Sequence, residues 1–311
     1  MKKQLLALSL AGLLAAPALV FAQSNTGLAN VSAPWLQMPD NPRSAAMAGA
    51  AVAMAGDVNG IQSNPAGLSG LKGQQASFMH NAWFQGIADE HVAYGAGLPG
   101  TGAGLGASFD YVNFGSVDRY VLNSSGGISP AGSFDPSAYH LDLAYAQDFG
   151  QLAAGLSVKM LGQNLDTDRS NGFGADLGGQ WRTSLDGLSF GAALQNLGSQ
   201  LDGSNLPLNW SLGTAWATPA GPGNRLTLAA EADLPAADLG SSSFGLGGEF
   251  WLHDLLAARL GYKFADTGTL TGLTGLTAGL GLKAGFAEVD YALVTEGDLG
   301  DSSLFSLLVS F

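Results

Sequence analysis

From Gln74 to the C-terminus, bulky apolar residues alternate with small or polar ones at period two, segment after segment. Within 172–181, Phe173, Ala175, Leu177 and Trp181 share one face of an extended chain, opposite Gly174, Asp176, Gly178 and Gln180. Residues 208–216 repeat the pattern, with Leu208, Trp210, Leu212 and Trp216 opposite Asn209, Ser211, Gly213 and Ala215. Leu256, Ala258, Leu260, Tyr262 and Phe264 likewise oppose Arg259, Gly261 and Lys263. A soluble sandwich normally covers its outward face with Lys and Glu. Here charged residues are 12% of the chain, about half the usual share, and Gly supplies 46 of 311 residues, about twice the usual share. The sparse charge falls on the glycine-lined face, the distribution expected for lipid outside and a filled lumen inside. After residue 22 there is no uninterrupted apolar run of the roughly 18 residues that a membrane helix needs. The fold predicted is all-β, a transmembrane antiparallel β-barrel with an N-terminal hatch or plug segment in its lumen.

Segments between turn signals fall at 74–85, 88–99, 102–114, 139–149, 151–164, 170–182 and 187–198. They continue at 207–218, 224–234, 242–252, 255–266, 272–283, 284–296 and 302–311, which predicts about 14 strands of membrane-spanning length. Tight connections at 99–102, 149–151, 253–254 and 283–285 alternate with mostly longer ones at 116–138, 166–170, 199–206, 235–241 and 295–301. Short periplasmic turns against longer outer loops would put both termini on the periplasmic side. The last strand ends in Phe311, as do strands read by the barrel-assembly machinery, which makes that machinery an expected partner.

Lys2 and Lys3 followed by an apolar run to Val20 read as a secretory signal cleaved after Ala22, so 1–22 is set aside from the fold. The chain has no Cys, which excludes a disulfide frame, lipid attachment and thiol chemistry. Its formal charge, −13, becomes −15 without the two signal lysines and argues against nucleic acid as a partner. Residues 23–73 do not alternate. The run 42–56 is small and apolar, and 57–60 and 64–67 break it with turn residues, which reads as a compact plug entering the 74–311 barrel from the periplasmic side. Pro65 would stiffen its Asn64-Pro65-Ala66-Gly67 turn, and Gly67 would let the chain turn back toward Gln74.

Residues 43–57 with Asn64-Pro-Ala-Gly-Leu68, then 172–178, 190–198, 206–208, 260–263, 275–281, 289–292 and 297–300, resemble blocks of the PorV/PorQ family. That family is related to the FadL-type outer-membrane transporters. The resemblance implies a fourteen-stranded barrel with the Asn-Pro-Ala segment in its hatch, residing in the bacterial outer membrane. FadL-type members are gated channels that pass hydrophobic molecules sideways through the barrel wall. PorV-type members bind cargo or translocon in type IX secretion. This chain has one loop of real length, 116–138, and so little surface for large cargo.

No enzyme or cofactor is expected. Gly187-Leu-Ser-Phe-Gly191 fits a nucleophile-elbow pattern but opens an alternating strand, which makes Ser189 a lumen residue. Gly95 to Gly100 fits a dinucleotide pattern with no helix after it. Asp166 to Ser170 begins like a calcium loop but lacks its glycine and closing glutamate. The four histidines share no ligand spacing, so no metal is expected. Parity places Lys159, Arg259, Lys263 and Lys283 in the lumen with Asp110, Asp142, Asp176, Glu231, Asp233, Glu249, Glu288 and Asp290. The candidate charge network comprises Lys159, Arg259, Lys263, Glu249, Asp176 and Asp290. It would hold the plug, or line a route with cations for an anionic head group. The expected state is a monomer in the lipid bilayer, serving a small hydrophobic molecule or a secretion partner.

Overall fold

The computed structural model describes residues 31–236, 239–265 and 271–311; the signal segment, 1–22, and residues 23–30 lie outside the described residues. The first strands are β1 (Gln74–Ala82), β2 (Ala88–Leu98), β3 (Ala103–Asn113), β4 (Val117–Leu122), β5 (Ile128–Phe134) and β6 (Ser137–Asp148). β7 (Leu152–Leu165), β8 (Asp168–Arg182), β9 (Leu188–Gly198), β10 (Asn209–Pro219) and β11 (Arg225–Pro235) follow. The last are β12 (Ser243–Leu252), β13 (Leu256–Ala265), β14 (Thr274–Ala284), β15 (Ala287–Glu296) and β16 (Asp301–Ser310).

Fourteen of these strands form one closed antiparallel barrel, in which β3 pairs with β6 and β16 returns to β1. Closure leaves no strand edge and satisfies the backbone within the wall, which is what a sheet needs in lipid. The alternation sorts as the sequence requires. Phe173, Leu177, Trp181, Trp210, Leu260 and Tyr262 are exposed on the outside, whereas Asp176, Gln180, Ser211 and Arg259 are buried within. Two features depart from expectation. The 116–138 connection carries a separate hairpin of β4 and β5. The β7–β8 connection closes in a tight turn, with Asp166 at φ 59° and Asp168 already in β8, so no open loop of the calcium type forms there. Continuity of the ladder breaks between β8 and β9, where a register shift sets Asp176 against a bulge at Gln195 and Asn196.

Candidate functional site

The non-alternating residues 31–73 run through the lumen. Val31 and Ser32 pair with Asn205, in the connection at the long-loop rim, while Gly73 lies at the opposite rim beside Phe311. The described plug therefore spans the barrel from one mouth to the other, and only its C-terminal end meets the short-turn rim. The expected arrival from the periplasmic side needs that correction. Small residues on both surfaces let the two backbones approach closely. A Cβ at Gly104, Gly155, Gly178, Gly191 or Gly245 would collide with Leu68, Ala66, Asn64, Val52 or Ala48 of the plug. Helix α1 (Pro42–Ala46) starts on Asn41, whose side chain accepts from the Ser44 amide at 2.7 Å, with proline in the first turn.

Asn64 follows a second short helix, α2 (Gly60–Ser63), and is buried. Its Oδ1 accepts from the Ala66 amide at 3.1 Å, opening a 3-10 turn over Pro65–Gly70 with proline at the first position. Its Nδ2 donates to the Val52 carbonyl at 2.6 Å and to the Gly179 carbonyl of β8 at 3.1 Å. One side chain thus caps a turn, ties two parts of the plug and fastens them to the wall. Only an amide offers both the acceptor and the two donors. Ala66 is fully buried, and Gly67 matters for space rather than for φ: a Cβ there would stand 3.1 Å from the Met54 carbonyl oxygen.

The lumen charges fall into separate groups rather than the single network expected. Glu249 of β12 takes a bidentate pair from Arg43 of the plug, both contacts at 2.8 Å, and a third bond from Arg259 Nε at 2.8 Å. Arg259 also pairs with Asp290 and lies 3.5 Å from Glu288. Across the lumen, Lys159 holds Asp176 at 3.0 Å and donates to Asn196. Lys263 joins neither group: its side chain is 44% exposed and stands 3.9 Å from Asp233. Glu231 accepts from the amides of Ala51 and Val52 at 2.8 Å each, and Gln180 donates to the carbonyls of Val52 and Met54. Ser189 does so to Ala53, in a strand rather than an elbow. Burial works against the charge of Arg43, but Glu249 outweighs it and raises the pKa of the guanidinium. Burial also pushes the Asp40 carboxyl up to about 6, with His91 pulling the other way.

Arg43 and Glu231 as plug anchors, and a histidine cluster, escaped the sequence reading. His91 Nδ1 meets Asp110 at 2.8 Å, and His140 lies 2.7 Å from Asp142 and 3.4 Å from Asp110. Gln62 of the plug donates to Asp110 at 2.7 Å. Ligand-type atoms of Asp110, His140 and Asp142 lie within 4.8 Å of one another, so the residues come together without any ligand spacing in the chain. Parity and the pairing of β2, β3 and β6 were the signals: Asp110 faces both His91 and His140 across the ladder. Each ring nitrogen of His140 already faces a carboxylate.

At the short-turn end, a cavity of about 840 Å³ opens between the plug and the wall, lined in part by Arg43, Asp57, Gln180, Ser189, Arg225 and Trp251. On the lipid-facing side of β7, β8 and β9 lies an apolar hollow of about 390 Å³, lined by Leu152, Gly179, Gln180, Trp181, Phe190 and Gly191. Gln180 borders both. The wall between them is the glycine-rich patch against which Asn64 is seated.

No family model and no curated protein matches this chain. Its fold is that of outer-membrane transport barrels. The toluene transporter TbuX of Ralstonia pickettii superposes over 87% of this chain and 98% of its own, with TM-score 0.60 at 14% identity. The toluene transporter TodX of Pseudomonas putida gives 0.61 at 12% identity, covering 87% of this chain and 96% of its own. A FadL homologue of Pseudomonas aeruginosa gives 0.53 at 10%, covering 88% and 98%.

Proposed function

We propose that this chain is a non-enzymatic channel for small hydrophobic molecules in a bacterial outer membrane, with residues 31–73 as its hatch. Its resemblance to PorV/PorQ proteins is part of the same proposal, as are a short-turn rim and C-terminus on the periplasmic side and assembly guided by Phe311. The observation that carries it is the seat of Asn64. There the hatch alone backs a glycine-rich patch of wall, with the short-turn cavity on one side and an apolar hollow facing lipid on the other. A hydrophobic molecule reaching that patch would leave sideways into lipid rather than straight into water, once the hatch shifts and the ladder parts beside its register shift. The fold shared with two toluene transporters supports the reading.

The test replaces Asn64 and Pro65 together by alanine and follows uptake of labelled toluene into cells that depend on this protein. Uptake should change at least severalfold, because the variant loses the Asn64 hydrogen bonds to Val52 and Gly179. Closure of the barrel around its full circumference also suits a second reading, a PorV-like component of a secretion system. Unchanged uptake combined with lost secretion of a partner protein would favour that reading and sink the first.

A further inference from the structure

The cavity at the short-turn end has four cations in its lining, Arg43, Arg182, Arg225 and Lys283. Three of them are already matched. Arg43 holds Glu249, Arg182 holds Asp148, and Lys283 stands 3.7 Å from Glu288. Arg225 is different. It opens β11 at the rim, is exposed, and makes neither an ion pair nor a side-chain hydrogen bond among the described residues. Its guanidinium lies instead over the indole of Trp251, its direct partner across the β11–β12 ladder, 5.8 Å from the ring centroid. Asp186 and Asp254 also line the cavity, both exposed on rim turns, and neither pairs with Arg225.

Two residues along β11, on the same inner face, Thr227 is 4% exposed and lines the same cavity. Buried hydroxyls are normally bonded, yet that of Thr227 has no partner among the described residues. Glu249, across the ladder from it, is already committed to Arg43 and Arg259. A guanidinium offers five donors in a planar fork that matches carboxylate and phosphate oxygens. Stacked on Trp251, that of Arg225 has given up part of the freedom a solvated arginine would lose on binding. Alternate residues of a strand stand about 7 Å apart, so one oxyanion between them can accept from the guanidinium and the hydroxyl together. Met54, Leu188, Ala217 and Leu308 supply apolar lining for the body that carries such a group.

We propose that the short-turn cavity is a binding site for small organic anions, molecules with an apolar body and one carboxylate or phosphate group. Arg225 takes the charge, and Thr227 donates a second hydrogen bond to the same group. The site goes beyond the channel reading and does not depend on it, since a neutral hydrocarbon has no use for either donor.

The full chain in micelles of an uncharged detergent provides the test, by titration calorimetry with benzoate, phenyl phosphate and, as the neutral counterpart, benzyl alcohol. Wild type should bind at least one of the anions, one per chain, about tenfold or more tightly than the alcohol, and added salt should weaken that binding. The tighter of the two anions tells whether the site is built for a carboxylate or for a phosphate. Arg225→Gln should weaken the anion about 10- to 150-fold, the span of a charge-assisted hydrogen bond, and leave the alcohol unchanged. Thr227→Val should weaken it about 2- to 10-fold. Arg169→Gln makes the same charge change at the long-loop rim and should leave anion affinity within about twofold. Heat-modifiable gel mobility confirms that each variant is a folded barrel. The proposal is overturned if wild type binds neither anion or binds anion and alcohol equally, and those measurements do not depend on how any variant folds. It is overturned equally if folded Arg225→Gln keeps wild-type affinity, or if Arg169→Gln weakens the anion as much. Toluene uptake is scored separately and bears only on the channel reading.

Discussion

Removing the Glu249 carboxylate should unlatch the hatch without opening the barrel wall. Glu249 is wholly buried and accepts three bonds at 2.8 Å, two from Arg43 of the hatch and one from Arg259 of the neighbouring strand. In Glu249→Ala the guanidinium of Arg259 keeps Asp290, but Arg43 loses its close partner and faces a like charge, with Asp57 at 3.9 Å and the more distant Glu288 to compensate in part. Breaking a buried pair from one side costs about 3–5 kcal/mol. The ladder between β12 and β13 is backbone-bonded and untouched, so the cost is borne by the seated hatch. At about 1.4 kcal/mol per tenfold, the open population rises about 150- to 4,000-fold. Arg43→Ala is milder, since Glu249 retains Arg259 and no orphan charge is left; loss of charge-assisted bonds of about 1.5–3 kcal/mol gives about 10- to 150-fold. The double variant should open no more than Glu249→Ala alone, because Arg43 has nothing left to lose there. Single-channel recordings in planar bilayers read the open probability, and heat-modifiability confirms the barrel. Folded Glu249→Ala protein opening within twofold of wild type would refute the reasoning, and so would a double variant whose effect equals the sum of the two singles.

Gly178→Val should prevent the hatch from seating, since its Cβ would meet Asn64 and the Pro65 ring; faster proteolysis within 43–70 in an otherwise folded barrel is the expected result, and wild-type resistance would contradict it. Asp40 makes hatch seating depend on pH. Its carboxyl is raised from 3.8 to about 6, so the folded form favours the protonated acid. That contribution is fully present below 3.8, is lost as pH rises through about 6, and amounts to about 3 kcal/mol. Open probability should therefore climb from pH 4 to 7, and Asp40→Asn should flatten the climb; an identical pH profile in Asp40→Asn would exclude Asp40 as its source.

The barrel was readable because lipid and lumen impose opposite chemistry on alternate residues, and period-two patterning records that directly. Leu260 and Arg259 are adjacent in the chain, and the barrel gives the first a lipid-facing position and the second a buried place in the lumen. The β4–β5 hairpin left no such record: it is solvated on both faces, so Ser125, Gly126 and Pro130 sit there without any alternation to enforce. Parity placed Asp176, Lys159, Glu249, Arg259 and Asp290 in the lumen, but it cannot say which strands lie face to face across it. For that reason one expected network became two, and Lys263, inward by parity, lies near the rim where water screens it. The anchors that matter most to the hatch come from the segment with no periodicity. Arg43 is the single basic residue in the run from Pro42 to Gly56, and its isolation among small apolar residues was the available signal. A lone cation that must be buried needs a carboxylate, and the inner wall holds a surplus of them. The same reasoning reaches Trp35, whose burial in a mouth lined by Val112 and Leu161 depends on a chain path that local sequence does not encode.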